Sequence, residues 1–365
     1  MNIVHVDSHR PWRGGEQQVL YLTGFLNDHG HNSVVVCQPQ SALHQRCVAA
    51  GMPVKTLRMR HEVDVLAAWR LGRLLRQLQA DILHMHTPHA HTIGLLAGLL
   101  APNVCKIVSR RVDFAPLRNR FSRWKYVRRD LHYIAVSDAI RHVLLSDGIA
   151  AHQVQTVHSG IDLQRCDAVV PTAPLFPAGS RVIGTVGHLA GHKGQRYLLA
   201  ALPHLVRTYP KIGCALVGTG DLHASLAAQA ADLGVSDHVK FTGFRRDALS
   251  LIQQFEVFVF PSVQEGLGTS VLDAMALYKP VVATRAGGIP EVVEDGVTGL
   301  LVAPQNPAAL ARAIQSLLEQ PERGKMFGAA GRQRVAQHFT AERMAARTLQ
   351  VYRELLHEAP LVTRA

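Results

Sequence analysis

The chain has 365 residues, which is too long for one comfortable hydrophobic core and about right for two domains of ordinary size. Hydrophobic residues make up 47% of it and charged residues 18%, a balance that indicates a folded globular protein and excludes a disordered or fibrous one. The formal net charge of +12 brings two anionic partners into consideration, a membrane surface and a nucleic acid.

Cysteine usage and hydropathy bear on the compartment. The five cysteines are widely spaced and form no CxxC pair, so we expect neither a disulfide framework nor a structural zinc site. The sequence opens on an apolar strand without a basic leader, and its longest apolar run, 93–101, is much shorter than a bilayer span. These features predict a cytoplasmic protein.

Short β-branched runs alternate with longer segments of helical period, which is typical of parallel sheets covered by helices. The predicted strands are 3–6, 33–37, 54–57, 81–86, 106–109, 133–136 and 154–158, and then 182–187, 214–217, 239–242, 257–260, 281–283 and 299–302. Between the two series, residues 166–180 carry three prolines and no periodicity, which predicts a linker.

The predicted fold class is therefore α/β, with two Rossmann-like doubly wound domains. Residues 1–165 form the first domain and 181–340 the second, while the helical stretch 341–365 is expected to cross back to the first. Ligands of doubly wound sheets bind outside the carboxyl ends of the strands, so we expect the two domains to face a central cleft that holds the site.

The densest run of cations is 117–129, where they alternate with aromatic and aliphatic residues. A helix would sort this segment into a basic face and an apolar face. One interpretation is a solvated helix that packs on its own domain. The other is a helix on an anionic membrane surface, where each cation contributes about 1 kcal/mol. Nucleic-acid binding is not expected, because no recognised binding motif accompanies the charge.

A glycine-containing loop follows the first strand of each domain. Gly14 and Gly15 allow close approach of the backbone to a ligand and leave free N–H groups at a helix N-terminus, which favours an anion. The second loop offers His188 and Lys193, and it matches neither GxxxxGK[ST] nor GxGxxG. A P-loop ATPase and a dehydrogenase are therefore disfavoured, and we expect this loop to hold a diphosphate.

The strongest pattern is residues 261–276, directly after a predicted strand. Glu265 lies in a Gly-containing loop, and Asp273 follows eight residues later, about one turn into a helix that starts near Thr269. Glu265 is thus expected near the ligand, and Asp273 is expected to face a polar group such as the hydroxyls of a ribose.

This segment resembles the signature of glycosyltransferase family 4, retaining enzymes of the GT-B fold, in which two glutamates stand in an E-G-x-G-x-x-x-x-E-A-M-A context. The resemblance covers essentially the whole chain. Its further motifs are Gly14-Gly15, 81–86, 135–137, 159–162, 186–187, 193–194, 217–220, 241–243, 287–291 and 295–299. It implies a bacterial cell-envelope or lipopolysaccharide-type enzyme.

By this resemblance Glu265 lies against the donor sugar, Lys193 neutralises the diphosphate, and His86 contacts the transferred sugar and the acceptor. These three are the candidate catalytic residues. The candidate donor-binding residues, which surround the diphosphate, ribose and base, are Gly14, Gly15, His188, Lys193, Gly243, Phe244, Glu265, Gly266, Leu267, Gly268, Thr269 and Asp273.

Two positions depart from the family pattern. Asp273 replaces the second glutamate and shortens its reach by one methylene, and His188 stands where the family usually has arginine, so the diphosphate is compensated less well at pH 7. The candidates for acceptor binding or for the missing charge are Arg10, Arg13, Arg110 and Arg111.

The resemblance further implies a nucleotide-sugar substrate, UDP-sugar favoured over GDP-sugar, with no cofactor and no metal. His84, His86, His89 and His91 are also not expected to bind a metal, because no carboxylate or cysteine completes a ligand shell. The expected acceptor is a glycan or a lipid-linked sugar at the inner face of the membrane. The alternatives are a GT-B epimerase or phosphorylase, since fold alone does not separate these activities, and a basic non-enzymatic protein that binds nucleic acid or glycans.

Overall fold

The computed structural model describes residues 1–111 and 120–358. The chain divides into two compact units, unit 1 comprising Met1–Gly160 with Ala341–Ala365 and unit 2 comprising Ile161–Thr340. The boundary after Gly160 thus falls five residues before the predicted end of the first domain at 165. The predicted linker, 166–180, belongs to unit 2. The first two residues of that segment end a short helix, Leu163–Asp167, which the Asp162 carboxylate caps by accepting from the backbone N–H groups of Gln164 and Arg165.

Unit 1 is built on a seven-stranded parallel sheet with the order β3-β2-β1-β4-β5-β6-β7. Its strands are β1 Asn2–Asp7, β2 Asn32–Cys37, β3 Val54–Thr56, β4 Ile82–Met85, β5 Cys105–Arg110, β6 Leu131–Ala135 and β7 Val154–Thr156. Its helices are α1 Gly14–Asp28, α2 Ala42–Ala49, α3 Val65–Gln77, α4 Pro88–Gly98, α5 Arg120–Tyr126 and α6 Asp138–Ser146. The strand order reverses between β1 and β4, and this switch point is where a doubly wound sheet offers a ligand crevice.

Unit 2 carries a six-stranded parallel sheet with the order β10-β9-β8-β11-β12-β13. Its strands are β8 Arg181–Val186, β9 Ile212–Val217, β10 Val239–Gly243, β11 Val257–Phe260, β12 Val281–Thr284 and β13 Gly299–Val302. Its helices are α7 Leu163–Asp167, α8 Gln195–Thr208, α9 His223–Asp232, α10 Ala248–Gln253, α11 Thr269–Ala276, α12 Ile289–Val292, α13 Pro307–Glu319 and α14 Pro321–His338. The switch point here lies between β8 and β11.

The last described helix, α15 Ala341–Glu358, packs within unit 1. Its buried residues Leu349 and Tyr352 share a core cluster with Leu22 and Leu26 of α1 and with Ile82 of β4. The apolar face of α15 therefore packs on the first unit and not on the second, as the sequence predicts for the C-terminal helix.

The predicted fold class is confirmed, because both units are Rossmann-like parallel sheets covered by helices and every predicted strand has its counterpart. The differences are at strand ends; for example, Asp81 and His86 flank β4 instead of belonging to it. Within the described ranges, no helix combines the length and the apolar character that crossing a membrane requires.

Candidate active site

The centre of the unit 2 site is an ion pair at the switch point. Glu265 lies in the loop between β11 and α11, and Lys193 lies in the loop between β8 and α8. Lys193 Nζ is 2.5 Å from Glu265 Oε2, and the Ser262 hydroxyl is 3.4 Å from the same oxygen. The side chains are 21% and 12% exposed, so the pair faces solvent on one side only. The two residues predicted to meet the diphosphate and the sugar are thus adjacent.

The backbone around Glu265 depends on glycine. Gly287 has φ +51°, and a Cβ added there would lie 1.8 Å from the carbonyl oxygen of Glu265. The next residue, Gly288, donates its N–H to that same carbonyl at 3.2 Å. On the other side Gly194 has φ +68°, and a Cβ there would lie 2.0 Å from Pro261 O. Neighbouring turns therefore fix the Glu265 loop through contacts that only glycine permits.

Asp273 lies in the second turn of α11, the helix that begins at Thr269 after Gly268 in the left-handed region. Burial raises the pKa of the Asp273 carboxyl to about 6, and the charge of Arg165 opposes that increase in part. Arg165 belongs to α7 of unit 2, so a residue assigned at the sequence level to the end of the first domain contributes to the electrostatics of this site, which sequence reasoning missed.

The remaining donor candidates lie along the same edge of the sheet. His188 follows β8, and its carbonyl accepts from the Gln195 side chain at 2.9 Å. The Gly243 carbonyl accepts from the Gly218 N–H at 2.9 Å, which joins the ends of β9 and β10. Phe244 comes next and is 54% exposed. An exposed aromatic ring at this edge is suited to stacking on a nucleobase.

In unit 1 the predicted glycines open α1, which begins at Gly14. The Glu16 carboxylate accepts from the backbone N–H of Arg13 at 2.7 Å and from His9 Nδ1 at 2.8 Å. A Cβ added at Gly15 would lie 3.5 Å from Arg111 Cδ, so the Arg111 side chain packs against this turn. Burial lowers the pKa of Arg111 to about 10, which leaves the guanidinium charged at neutral pH.

Of the four candidate arginines, Arg111 therefore lies beside the turn at Gly15, whereas Arg110 contacts Tyr126. Arg110 donates to the Tyr126 hydroxyl at 3.2 Å and is buried. Successive residues at a strand end point to opposite faces of the sheet, which explains the difference. Arg10 and Arg13 are exposed on the loop before α1.

His86 belongs to a buried group of three histidines. His5 Nδ1 is 3.0 Å from His86 Nε2, while His84 bonds to the Tyr352 and Ser109 hydroxyls. Burial lowers the pKa of all three imidazoles, so they are neutral at pH 7. The pairing of β1 with β4 sets His5 opposite His84. His5 was missed at the sequence level, although its place in the first strand, which a doubly wound sheet pairs with the strand of His84, was the available signal.

The four histidines considered for a metal do not form one group, because His89 is exposed and His91 is buried in α4. One ring nitrogen each of His5, His84 and His86 lies within 4.8 Å of the other two, and the same holds for one ligand atom each from Asp7, His9 and Glu16. Burial first and the Glu16 charge second raise the pKa of Asp7 to about 7. This second group was also missed at the sequence level.

The described part of the basic segment 117–129 is not a continuous basic face. Lys125 is buried, pairs with Glu62 at 2.5 Å and donates to the Pro88 carbonyl at 2.8 Å. Arg128 is paired with Asp130 at 2.9 Å. Arg123 and Arg129 are exposed, whereas Arg118 lies outside the described residues. Lys125 therefore stabilises the attachment of α5 to its own domain.

Comparison with known proteins identifies the class that this fold and site define. The family model described as "Glycosyltransferase Family 4" matches residues 12–165, and "Glycosyl transferases group 1" matches 171–334. The chain is 30% identical to 2-deoxystreptamine glucosyltransferase from Streptomyces kanamyceticus, over 86% of this chain and 84% of that protein. It is 31% identical to a GDP-mannose-dependent phosphatidylinositol monomannoside mannosyltransferase from Mycolicibacterium smegmatis, over 72% of this chain and 67% of that protein.

Among solved structures, HepE from Anabaena in complex with UDP and glucose matches with a TM-score of 0.85 at 22% identity, over 97% of this chain and all of that one. The protein is therefore a sugar-transferring enzyme with the GT-B fold. It belongs to glycosyltransferase family 4. This membership excludes the non-enzymatic alternative.

Proposed function

We propose that the protein is a retaining glycosyltransferase that moves a hexose from a nucleoside diphosphate sugar, a UDP-sugar by preference, to a glycan or lipid-linked acceptor. The observation that carries the proposal is the Lys193–Glu265 pair at the switch point of unit 2. It sets a cation and a carboxylate side by side, the charges that a departing diphosphate and an electron-deficient sugar require.

In the proposed reaction the bond between the sugar and the diphosphate breaks, and negative charge builds on the diphosphate. Lys193 and the following N-terminus of α8 stabilise that charge. Glu265 faces the oxocarbenium-like sugar. Retention follows from attack on the face that the diphosphate leaves, with a phosphate oxygen taking the acceptor proton. We assign no covalent nucleophile, no cofactor and no metal.

The nucleoside is assigned to α11 and to the end of β10 in unit 2. Asp273 accepts hydrogen bonds from the ribose, and Gly243 with Phe244 lines the base. The preference for UDP is supported by the HepE complex, which contains UDP, while GDP-mannose in the name of the mycobacterial relative keeps GDP as the second choice. His86, neutral and with a buried Nδ1 that has no hydrogen-bond partner among the described residues, is assigned to the hydroxyls of the transferred sugar.

The acceptor is assigned to envelope polysaccharide or lipopolysaccharide synthesis at the cytoplasmic face of the membrane. The name of the mycobacterial relative includes a lipid-linked acceptor. The five cysteines are all unpaired, which fits a reducing compartment. The net charge of +12 favours an anionic membrane over a neutral surface.

A donor screen tests this proposal. We expect one nucleotide sugar to raise the melting temperature most among UDP-, GDP- and ADP-sugars, because a ligand that binds only the folded state stabilises it. The same donor should be consumed in the presence of short glycan or lipid-linked acceptors, with the anomeric configuration of the new bond read by NMR. Inversion at that carbon would contradict retention, and steady epimerisation of the donor without acceptor would show an epimerase instead.

The pKa of Asp273 predicts a pH dependence of donor binding. The carboxylate must be ionised to accept from both ribose hydroxyls, and its pKa in the free protein is about 6. Affinity should therefore be constant above pH 7 and fall as pH decreases through 6, to about one tenth at pH 5. Calorimetry with an intact nucleotide sugar, whose diphosphate diester does not titrate in this range, measures it. Asp273→Asn should bind weakly at every pH, and an unchanged pH profile in this variant would assign the titration to another group.

A further inference from the structure

Unit 1 exposes an unusual concentration of large apolar side chains at the start of α3. Val63 is 46% exposed, Val65 68%, Leu66 51% and Trp69 46%, all within seven residues. Elsewhere in the described ranges, large exposed apolar residues are scattered singly, as on most protein surfaces. An exposed apolar cluster that contains tryptophan indicates a contact surface.

Cations surround this cluster. Arg60 is exposed just before α3, and Arg70, Arg73 and Arg76 are exposed along it. Trp69 and Arg73 are four residues apart and Arg76 is three further on, so they share one face of the helix. The Arg73 guanidinium lies 4.9 Å from the centroid of the Trp69 ring. We refer to the eight residues Arg60, Val63, Val65, Leu66, Trp69, Arg70, Arg73 and Arg76 as the α3 patch.

The two carboxylates of this segment precede α3 and are engaged in contacts of their own. Between Lys55 and Gln77 the sequence has only Glu62 and Asp64. Glu62 accepts from the Lys125 ammonium and from the Thr92 hydroxyl. Asp64 is buried and caps α3 by accepting from the Ala67 N–H at 3.0 Å. The helix itself, residues 65–77, contains apolar side chains and arginines but no carboxylate.

We propose that the α3 patch docks on an anionic lipid bilayer. Arginines attract acidic headgroups, tryptophan is suited to the boundary between headgroups and acyl chains, and Val65 and Leu66 are suited to the shallow apolar layer beneath. A nucleic acid accounts for the arginines but not for the aliphatic residues, which do not stack on bases. The bilayer is thus the partner that uses both halves of the α3 patch.

The α3 patch begins at the same edge of the unit 1 sheet as the candidate site residues. A helix that follows a parallel strand begins at the carboxyl edge of the sheet, so the apolar start of α3 is at the edge that carries His86 and the Gly15 turn. The Lys125–Glu62 pair joins α5 to the loop before α3, so the exposed Arg123 belongs to a neighbouring element. Docking itself does not depend on the proposed function. The idea that docking presents a lipid-linked acceptor to His86 does rest on the proposed function.

Flotation with vesicles tests the proposal on the full chain. Wild type should float with vesicles of phosphatidylcholine and phosphatidylglycerol and remain free of pure phosphatidylcholine vesicles. Replacing Arg70, Arg73 and Arg76 by serine should weaken binding about 100-fold, since each cation near anionic headgroups contributes roughly fivefold. Leu66→Ser with Trp69→Ser should weaken it at least about tenfold. All these side chains are exposed, so far-UV circular dichroism and the melting temperature should stay those of wild type.

The matched control removes three exposed cations from unit 2, Arg207, Lys211 and Arg312, and so changes net charge equally. It should bind vesicles nearly as wild type does. Equal loss in this control would show a nonspecific charge effect and overturn the proposal, as would absence of wild-type binding to the anionic vesicles. Tighter binding to single-stranded RNA than to vesicles at equal salt would assign the α3 patch to nucleic acid.

A second readout locates the contact. Fluorescence quenching by brominated lipids, taken as the difference between wild type and Trp69→Phe, should place Trp69 at the acyl boundary, and no quenching difference would contradict insertion. Vesicle binding requires no sugar transfer. A protein that docks but transfers nothing would therefore disprove the proposed function alone, and one that transfers to soluble acceptors without docking would disprove this inference alone.

Discussion

Glu265→Gln should reduce the turnover of sugar transfer about 1000-fold while nucleoside diphosphate binds as tightly as before or more tightly. The amide keeps the size of the side chain but removes the charge that we propose faces the sugar, and the loss of one preorganised electrostatic group at a reaction centre costs about that factor. Lys193, now 2.5 Å from the carboxylate, loses its protein partner and becomes more available to the diphosphate. Turnover numbers and calorimetry on the same preparation measure the two effects.

A carboxylate outside the site serves as the control. Glu256 forms an ion pair with Arg181 at 2.7 Å in the same unit, half-exposed, and Glu256→Gln should leave both turnover and nucleotide affinity unchanged. Lys193→Ala completes the comparison, because it should weaken diphosphate binding where Glu265→Gln does not. Full activity of Glu265→Gln would remove Glu265 from the reaction, and unchanged nucleotide affinity of Lys193→Ala would place the diphosphate elsewhere.

Gly287→Ala should reduce turnover at least about 100-fold in a protein that still folds. The new methyl group would lie 1.8 Å from the Glu265 carbonyl oxygen, a distance that no rotamer can relieve, so the Glu265 loop must shift and its contact with Lys193 is disturbed. A displacement of about 1 Å at a reacting group is sufficient for such a loss. The strained φ of +51° adds about 1 kcal/mol of destabilisation. Steady-state kinetics and thermal unfolding separate these effects.

Gly296 offers the matched control. Its φ is +76°, also in the left-handed region, but a Cβ there would meet no atom within 4 Å. Gly296→Ala should therefore lose a similar stability and keep its turnover. If both variants lost turnover equally, backbone strain in general, and not the contact with Glu265, would be the cause.

The fold was accessible from the sequence because its determinants are local and periodic. Alternating β-branched runs and helical segments predicted both sheets, and the proline-rich break marked the change from one to the other. Strand ends were less accessible, since they depend on pairing partners. His86, for instance, follows β4, and its N–H donates to the Val6 carbonyl, a partner set by the neighbouring strand.

The candidate site was accessible in part. Glu265, Lys193 and the glycine turns have sequence signatures, because close backbone approach requires glycine and a diphosphate requires a cation. Lys125 shows where such signatures fail. It looked like one more cation of a basic face, but burial beside Glu62 makes it a stabilising residue. The sequence contains the charge of a side chain but not what surrounds it.

The sequence by itself determined the two Rossmann-like units and the family, and it predicted which residues face the diphosphate and the sugar, because these follow from short-range patterns. Only the tertiary structure decided that Gly287 holds the Glu265 loop, that His5 bonds to His86, and that Arg111 rather than Arg110 packs on the Gly15 turn. It also revealed the α3 patch. All of these features depend on which distant segments are brought into contact and on which faces remain exposed. The order of residues along the chain specifies neither directly.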